Sequence, residues 1–516
     1  MKEIDKLKAE LVLLVKAKYP LIQIESFEED RIISLLNDVA KETGREIYCW
    51  SITKGLVNKD KESKGFKGDP VGILDHIEKA DSSEKAIYIL KDYHKFIEDP
   101  VITRSLRDLH TTLKGETKTL VLSTPCGVIP RELEKSITIL DLPYPGKEEF
   151  QETLKTAIED LKNRSEYDKK LDEIVPFLSK QAESLSDKII EAGLGLTFDE
   201  FENVVFKCIS GHSFDLKTIT GEKKQIIKKS GVLEYFEPSD GIGDIGGLNA
   251  LKEWIRKAAK RFTPEAEAFG LEKPRGILLI GPPGTGKSLT AKAIALTLDQ
   301  PLLKFDMAGL SSKYYGETGN NVKLALKLAD AVAPDVLWID EVEKSTSTGP
   351  SGEGHEETMR AIGTILTHFE ESTAPVFRVA TSNSPFSLKP ELMQRFEKIF
   401  FVDLPSPHER EEIFAIHIKK VGRDPTKFDL SKLAAASKDF VGREIRTIIK
   451  EALANAFDEG EELTTDHLLK EIKLVTPMAV QKKDEIERMR EWSKINAIPA
   501  SSLDLLDTNT QRKAEV

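Results

Sequence analysis

The most constraining stretch of the chain is Gly281-Pro282-Pro283-Gly284-Thr285-Gly286-Lys287-Ser288. It follows the strand-like run of residues 275–280, apolar after Arg275, and precedes a helical run from Leu289 to Leu298. A buried strand, a glycine-rich turn and a helix start in that order form the context in which Gly-x-x-x-x-Gly-Lys-Ser acts as a phosphate-binding loop. Glycines let the backbone curl so that successive N–H groups face one anion, and the helix adds its positive end. In such a loop Lys287 reaches the outer phosphates and Ser288 holds a magnesium ion, so the stretch implies a site for a nucleoside triphosphate.

At 516 residues the chain exceeds a single core, and roughly two to four domains are expected. A net charge of −12 disfavours a general nucleic-acid surface, so a nucleic-acid partner is not expected. The cysteines Cys49, Cys126 and Cys208 are far apart, which suits a reducing compartment and offers no zinc spacing. The charged start Met1–Lys8 lacks an apolar signal core, and no run approaches the roughly 20 apolar residues of a membrane span. The cytoplasm, or the soluble space of an organelle, is the expected location.

Read in order, residues 1–20 have helical spacing. Strand-like runs at 21–24, 47–50, 87–90 and 120–122 then alternate with helical ones, and a polar loop covers 59–69. That alternation argues for a parallel α/β sheet. An internal comparison says more. Residues 119–125, Pro130 and 139–145 match residues 376–383, Pro390 and 401–407, and residues 86–91 match 336–341. The first half therefore reads as a worn copy of the second. Its counterpart of the phosphate loop, residues 25–30, has no glycine and carries Glu25, Glu28, Glu29 and Asp30, which would repel phosphate. The boundaries expected are a degenerate nucleotide-free domain at 1–145, a helical connector at 146–237, the nucleotide domain at 238–404, a helical lid at 405–475, and a C-terminal helix with a flexible tail at 476–516.

The second half carries the chemistry. Residues 336–341 form an apolar strand ending in Asp340 and Glu341. Beside a phosphate loop, Asp340 would hold Mg²⁺ opposite Ser288 and Glu341 would polarise the attacking water. Asn383, after the next strand, can hydrogen-bond the γ-phosphate or the water.

These residues, with Asp244–Leu248 and Gln394-Arg395-Phe396, occur in the order of the AAA+ ATPases, which the chain resembles over about 240–460. The resemblance implies an α/β phosphate-loop fold with a helical lid. It also implies hydrolysis of ATP with Mg²⁺ between subunits of a homo-oligomeric ring, commonly a hexamer, acting on a protein client. Nucleotide contacts would come from Ile245, Gly246, Gly281, Pro282, Pro283, Gly284, Thr285, Gly286, Lys287, Ser288 and Leu289. Arg395 matches the arginine finger, although this chain has one arginine where the family usually carries two; an ion pair with Glu391 or Glu397 is the alternative. Tyr314 and Tyr315 fall in the segment matching the central-pore loop, where packing beneath the loop is the alternative. Arg443 falls at the helix start where the second nucleotide sensor sits, with a surface arginine as the alternative. Ser345–Gly354 is a low-complexity loop. The charged tail helix has an apolar edge at Ile486, Met489 and Trp492, and residues 501–516 are expected to be disordered. End to end, the layout resembles the hypothetical chloroplast reading frame forty-six family of algal plastids and cyanobacteria. That implies a stromal or cytoplasmic ATPase, loosely linked to photosynthetic or inorganic-carbon regulation. A nucleotide-switched assembly scaffold doing little mechanical work is the alternative.

Overall fold

The computed structural model describes residues 3–58, 62, 64–125, 129–165, 175–237, 240–306, 318–345 and 353–501. These residues divide into two compact units, one ending at Leu216 and one beginning at Lys217. Cys126, Tyr314, Tyr315, most of the loop at 345–354 and the tail beyond Ser501 lie outside the described residues.

The first unit is built on β1 (Leu21–Glu25), β2 (Glu46–Ser51), β3 (Gly55–Asn58), β4 (Ala86–Lys91), β5 (Lys118–Thr124) and β6 (Thr138–Asp141). Their order is β3-β2-β4-β5-β1-β6, and all pairs are parallel except β2 with β3. The strands are apolar on both sides because helices cover both faces. Ile87 and Ile89 of β4 pack with the helices Glu3–Lys16 and Glu29–Thr43. Tyr88 and Leu90 pack with Pro70–Lys79 and Pro100–Leu113 on the other face, as the two-residue period of a strand requires. The edge strand β3 was not legible in the sequence; Gly55, at φ 73°, turns the chain back on β2, a left-handed conformation that suits glycine. Three helices follow, Lys147–Ser165, Val175–Gly193 and Phe198–Ser210, the last opened by a Thr197/Glu200 capping box.

The second unit contains β7 (Glu234–Phe236), β8 (Gly276–Ile280), β9 (Leu302–Asp306), β10 (Asp335–Asp340), β11 (Val376–Ser382), β12 (Lys398–Phe401) and β13 (Ile498–Pro499). Their order is β13-β12-β8-β11-β10-β9-β7. Within it, β9-β10-β11-β8-β12 repeats the order β2-β4-β5-β1-β6 of the first unit. Each sheet also adds one antiparallel strand, β3 or β7, at the corresponding edge. The duplication expected from sequence is therefore present in the topology.

Two features depart from the sequence expectation. The connector was expected to run to Glu237, yet the helix Leu216–Ser230, from its second residue on, and β7 belong to the second unit. The reason is pairing: Tyr235 of β7 lies opposite Leu303 of β9, and Lys223 is buried beside Asp335 at the start of β10. The phosphate-loop helix begins at Lys287, two residues ahead of the expected Leu289.

The lid packs Pro407–Lys420, Leu430–Ala436, Gly442–Asp458 and Thr465–Leu474 around Phe414, Leu433, Ile445 and Ile449. The tail helix Lys483–Asn496 buries Ile486 and Met489 and leaves Trp492 partly exposed. It then does what its sequence did not announce and returns to the sheet as β13, beside β12. The Ala500 N–H donates to Phe401 O at 2.9 Å, and the Leu251 N–H donates to Ala500 O at 3.1 Å. Ala500 is 1% exposed, so Ala500→Asp is expected to cost about 2–3 kcal/mol, from an unpaired buried carboxylate and lost strand pairing. Urea unfolding monitored by far-UV circular dichroism checks this.

Candidate functional site

The site forms at the carboxyl ends of β8, β10 and β11, where ligands sit in open parallel sheets. β8 lies between β11 and β12, and its last residues are fully paired: the Gly281 N–H donates to Ser382 O at 3.2 Å, and the Val402 N–H to Ile280 O at 2.8 Å. A Cβ on Gly281 would collide with the Val402 carbonyl, so only glycine fits. Gly284 (φ 83°) and Gly286 (φ 105°) then turn the loop through left-handed backbone into the helix Lys287–Leu298.

Lys287 is 6% exposed and folds back over its own loop, donating to the carbonyls of Gly281 at 2.7 Å and Pro282 at 2.8 Å. Burial brings its ammonium down to about 8, against the opposing pull of Glu343, Asp340 and Glu341. Ser288 is exposed in the first helical turn. Asp340 accepts from Thr381 Oγ1 at 2.7 Å and pairs with Lys304 Nζ at 3.4 Å. Glu341 sits at φ 49°, an uncommon conformation for a side-chain-bearing residue, and its N–H donates to the same Thr381 hydroxyl at 3.2 Å. Asn383 Nδ2 lies 3.3 Å from Glu341 Oε1 and 3.0 Å from Glu343 Oε1. Lys287, Asp340, Glu341 and Asn383, picked from separate stretches of sequence, thus converge.

A nucleotide fits these residues. The loop is a glycine-turned helix N-terminus with a buried cation beside it, which suits phosphate. The oxygen donors Ser288 and Asp340 suit Mg²⁺, a hard cation. Next to the loop is a shallow recess lined by Gly246, Leu248, Thr285, Glu409, Ile413 and Gly442, among others. Ile245 and Gly246 belong to a segment stapled to the lid. The Gly247 N–H donates to Glu412 at 2.7 Å, the Leu248 N–H donates to Glu409 at 3.1 Å, and Lys420 pairs with Asp244 at 2.9 Å. A Cβ on Gly246 would lie 2.6 Å from Ile413 Cγ1. Arg443 meets the loop through its backbone, its N–H donating to Gly284 O at 3.2 Å, while its side chain is exposed.

Arg395 stands apart from this cluster. Its Nη2 lies 3.1 Å from Glu370 Oε2, whereas Glu397, one of its two expected ion-pair partners, pairs with Arg261. Sequence reasoning missed Thr381, Glu343 and Lys304. Thr381 is two residues before Asn383, and its strand β11 pairs with β10 one step before the acids, at Ile339↔Ala380. Strand adjacency was the signal that would have found it.

The corresponding position in the first unit is filled by that unit's own side chains. Glu28, 5% exposed, accepts from the Phe198 N–H at 2.6 Å, at the start of its third connector helix, and pairs with Arg31 at 3.0 Å. Arg31 also bonds Glu149 at 2.7 Å and Pro143 O at 2.6 Å. Burial pushes the Glu28 carboxyl up, while the Phe198 N–H and Arg31 draw it down. At the end of β4, where the second unit has its acids, Lys91 pairs with Glu29 at 2.8 Å.

These features define a class. Residues 277–404 match the model of the ATPase family associated with various cellular activities (AAA), and residues 7–142 match the N-terminal domain of SpoVK-like AAA ATPases. The chain is 35% identical over 508 residues to the AAA domain-containing protein ycf46 of Trieres chinensis, covering 97% of this chain and 99% of that one. It is also 35% identical to ycf46 of Guillardia theta, covering 95% of each. Over 260 residues it is 33% identical to the proteasome-activating nucleotidase of Methanococcus vannielii, covering 48% of this chain and 63% of that one. The chain therefore belongs to the ycf46 family of AAA ATPases. Among the described residues, no helix is long and apolar enough to cross a membrane.

Glu28→Ala is expected to weaken the seating of Phe198–Ser210 by about 2 kcal/mol, since a buried N–H loses its acceptor. In hydrogen exchange this reads as roughly thirty-fold faster exchange of the Phe198 amide, and unchanged protection would remove Glu28 from that role.

Proposed function

We propose that this chain hydrolyses ATP with Mg²⁺ at a site shared between neighbouring copies in a ring, commonly a hexamer, and uses the cycle to remodel a protein client. The observation that carries the reading is the convergence of Glu341 and Asn383 with buried Lys287 at the ends of three adjacent strands. Lys287 supplies positive charge at the outer phosphates, and Ser288 and Asp340 would hold Mg²⁺. Held there, the ion would supply positive charge against that developing on the transferring phosphoryl group. Glu341 takes the proton of the attacking water as general base. Asn383, bonded to Glu341, is assigned to orienting that water. Gly246 lines the recess and Arg443 meets the loop through its backbone, and both, with Ile245, are assigned to nucleotide contact.

The position of Arg395 supports a shared site. Its described partner is a single exposed glutamate, Glu370, and no described contact ties it to the cluster of its own chain. A cation reaching a neighbour's phosphoryl group can contribute on the order of 10³-fold in rate. Tyr314 and Tyr315 are assigned to gripping polypeptide on the strength of their motif. Membership of the ycf46 family supports the plastid stroma or a bacterial cytoplasm as the compartment.

Three measurements test this. Glu341→Gln should bind ATP and lose about 10²-fold or more in turnover; undiminished hydrolysis would remove Glu341 as the base. Light scattering on a sizing column, with that variant, should show a ring in ATP and Mg²⁺. A monomer under all conditions would leave Arg395 without a target and favour a partner-activated switch. Tyr314→Ala should abolish client processing while sparing ATP hydrolysis, and an unaffected variant would favour the scaffold reading.

A further inference from the structure

Glu343 lies two residues beyond Glu341, in the short 3-10 turn Val342–Ser345 that follows β10. It is 8% exposed. One of its oxygens, Oε1, accepts twice from the same residue: from the Asn383 backbone N–H at 3.1 Å and from Asn383 Nδ2 at 3.0 Å. A primary amide has two N–H bonds, and the second direction of Nδ2 leads to Glu341 Oε1 at 3.3 Å. The amide therefore bridges two carboxylates with different duties. Glu341 faces the reaction, whereas Glu343 holds the bridge and adds its charge to those acting on Lys287.

We infer that Glu343 is a positioning residue that fixes the Asn383 amide against Glu341, and so sets the orientation of the catalytic base. This rests on the ATPase reading above. Two bonds from one oxygen to the backbone and side chain of one residue remove the freedom of Asn383 to rotate about its own side chain. A charge-assisted pair of bonds in a mostly buried setting is strong enough to do so. With the bridge intact, Glu341 is held in one rotamer by the amide, while the Thr381 hydroxyl holds its backbone from below. Without Glu343, Asn383 is free to leave, and the base keeps its chemistry but loses its aim. Misplacement of a reacting group lowers the rate of the bound complex more than it lowers binding.

The test is steady-state ATP hydrolysis by the full chain, in single and double variants. Glu343→Ala is expected to lower kcat about tenfold or more while KM for ATP moves less than about threefold. Glu343→Gln keeps an acceptor oxygen at the same reach and is expected to recover most of kcat. In an Asn383→Ala background, Glu343→Ala is expected to cost nothing further, because it acts through Asn383. If Glu343→Ala does not fold, Glu343→Asp, whose carboxylate is drawn back by one methylene, is expected to show the same loss of kcat. An unchanged kcat, a loss that multiplies with that of Asn383→Ala, or a Glu343→Gln as slow as Glu343→Ala would each overturn the inference alone. A wild-type chain that turns over no ATP in Mg²⁺ would overturn the ATPase reading and this inference together.

Discussion

Everything in the second unit depends on how tightly β8 is held between β11 and β12. Paired on both edges to its last residue, the strand delivers its chain against the Val402 carbonyl, where no Cβ has room. From that point the backbone turns through two left-handed glycines into a helix, and Lys287 is carried back over the turn. The sheet order places the end of the strand, and the glycines make the loop. At the carboxyl end of a central parallel strand, a glycine turn that leads straight into a helix leaves the helix N-terminus on the side where such sheets bind ligands.

The same sheet order carries opposite chemistry in the first unit. The loop after β1 presents carboxylates instead of N–H groups, and the end of β4 presents an ammonium instead of two acids. Glu28 takes up the N–H of Phe198, at the start of a helix, in the way a bound anion would. Its partner Arg31 neutralises it and ties it to Glu149 and Pro143. A fold built to wait for a ligand has here been completed by its own side chains.

In the second unit one hydroxyl organises the acids. Thr381 donates to Asp340 and accepts from the Glu341 N–H, so both acids take their places from a residue on the neighbouring strand. The left-handed backbone at Glu341 shows that this arrangement is imposed by its surroundings. Lys304 meanwhile holds the other oxygen of Asp340. A cation already stands beside the carboxylate assigned to Mg²⁺.

Much of this was legible in the sequence because it is local. The phosphate loop needs glycine at fixed offsets, the acids need a strand before them, and the alternation of apolar runs needs a parallel sheet. The worn first copy was legible for the same reason: its strands kept their apolar runs while its loops lost their residue types. What the sequence left undecided is what depends on neighbours across the sheet. The edge strand β3, the placement of β7 in the second unit and the return of the tail as β13 all come from backbone pairing, which carries little residue-type signal. Thr381 and Glu343 escaped notice because a threonine in a strand and a glutamate after an acidic pair are ordinary by themselves. The chain alone picked out the groups assigned here to a nucleotide and the loop in the first unit that lacks them. Only the tertiary structure decided which of those groups hold one another in place, because hydrogen bonds between strand ends join residues some forty positions apart.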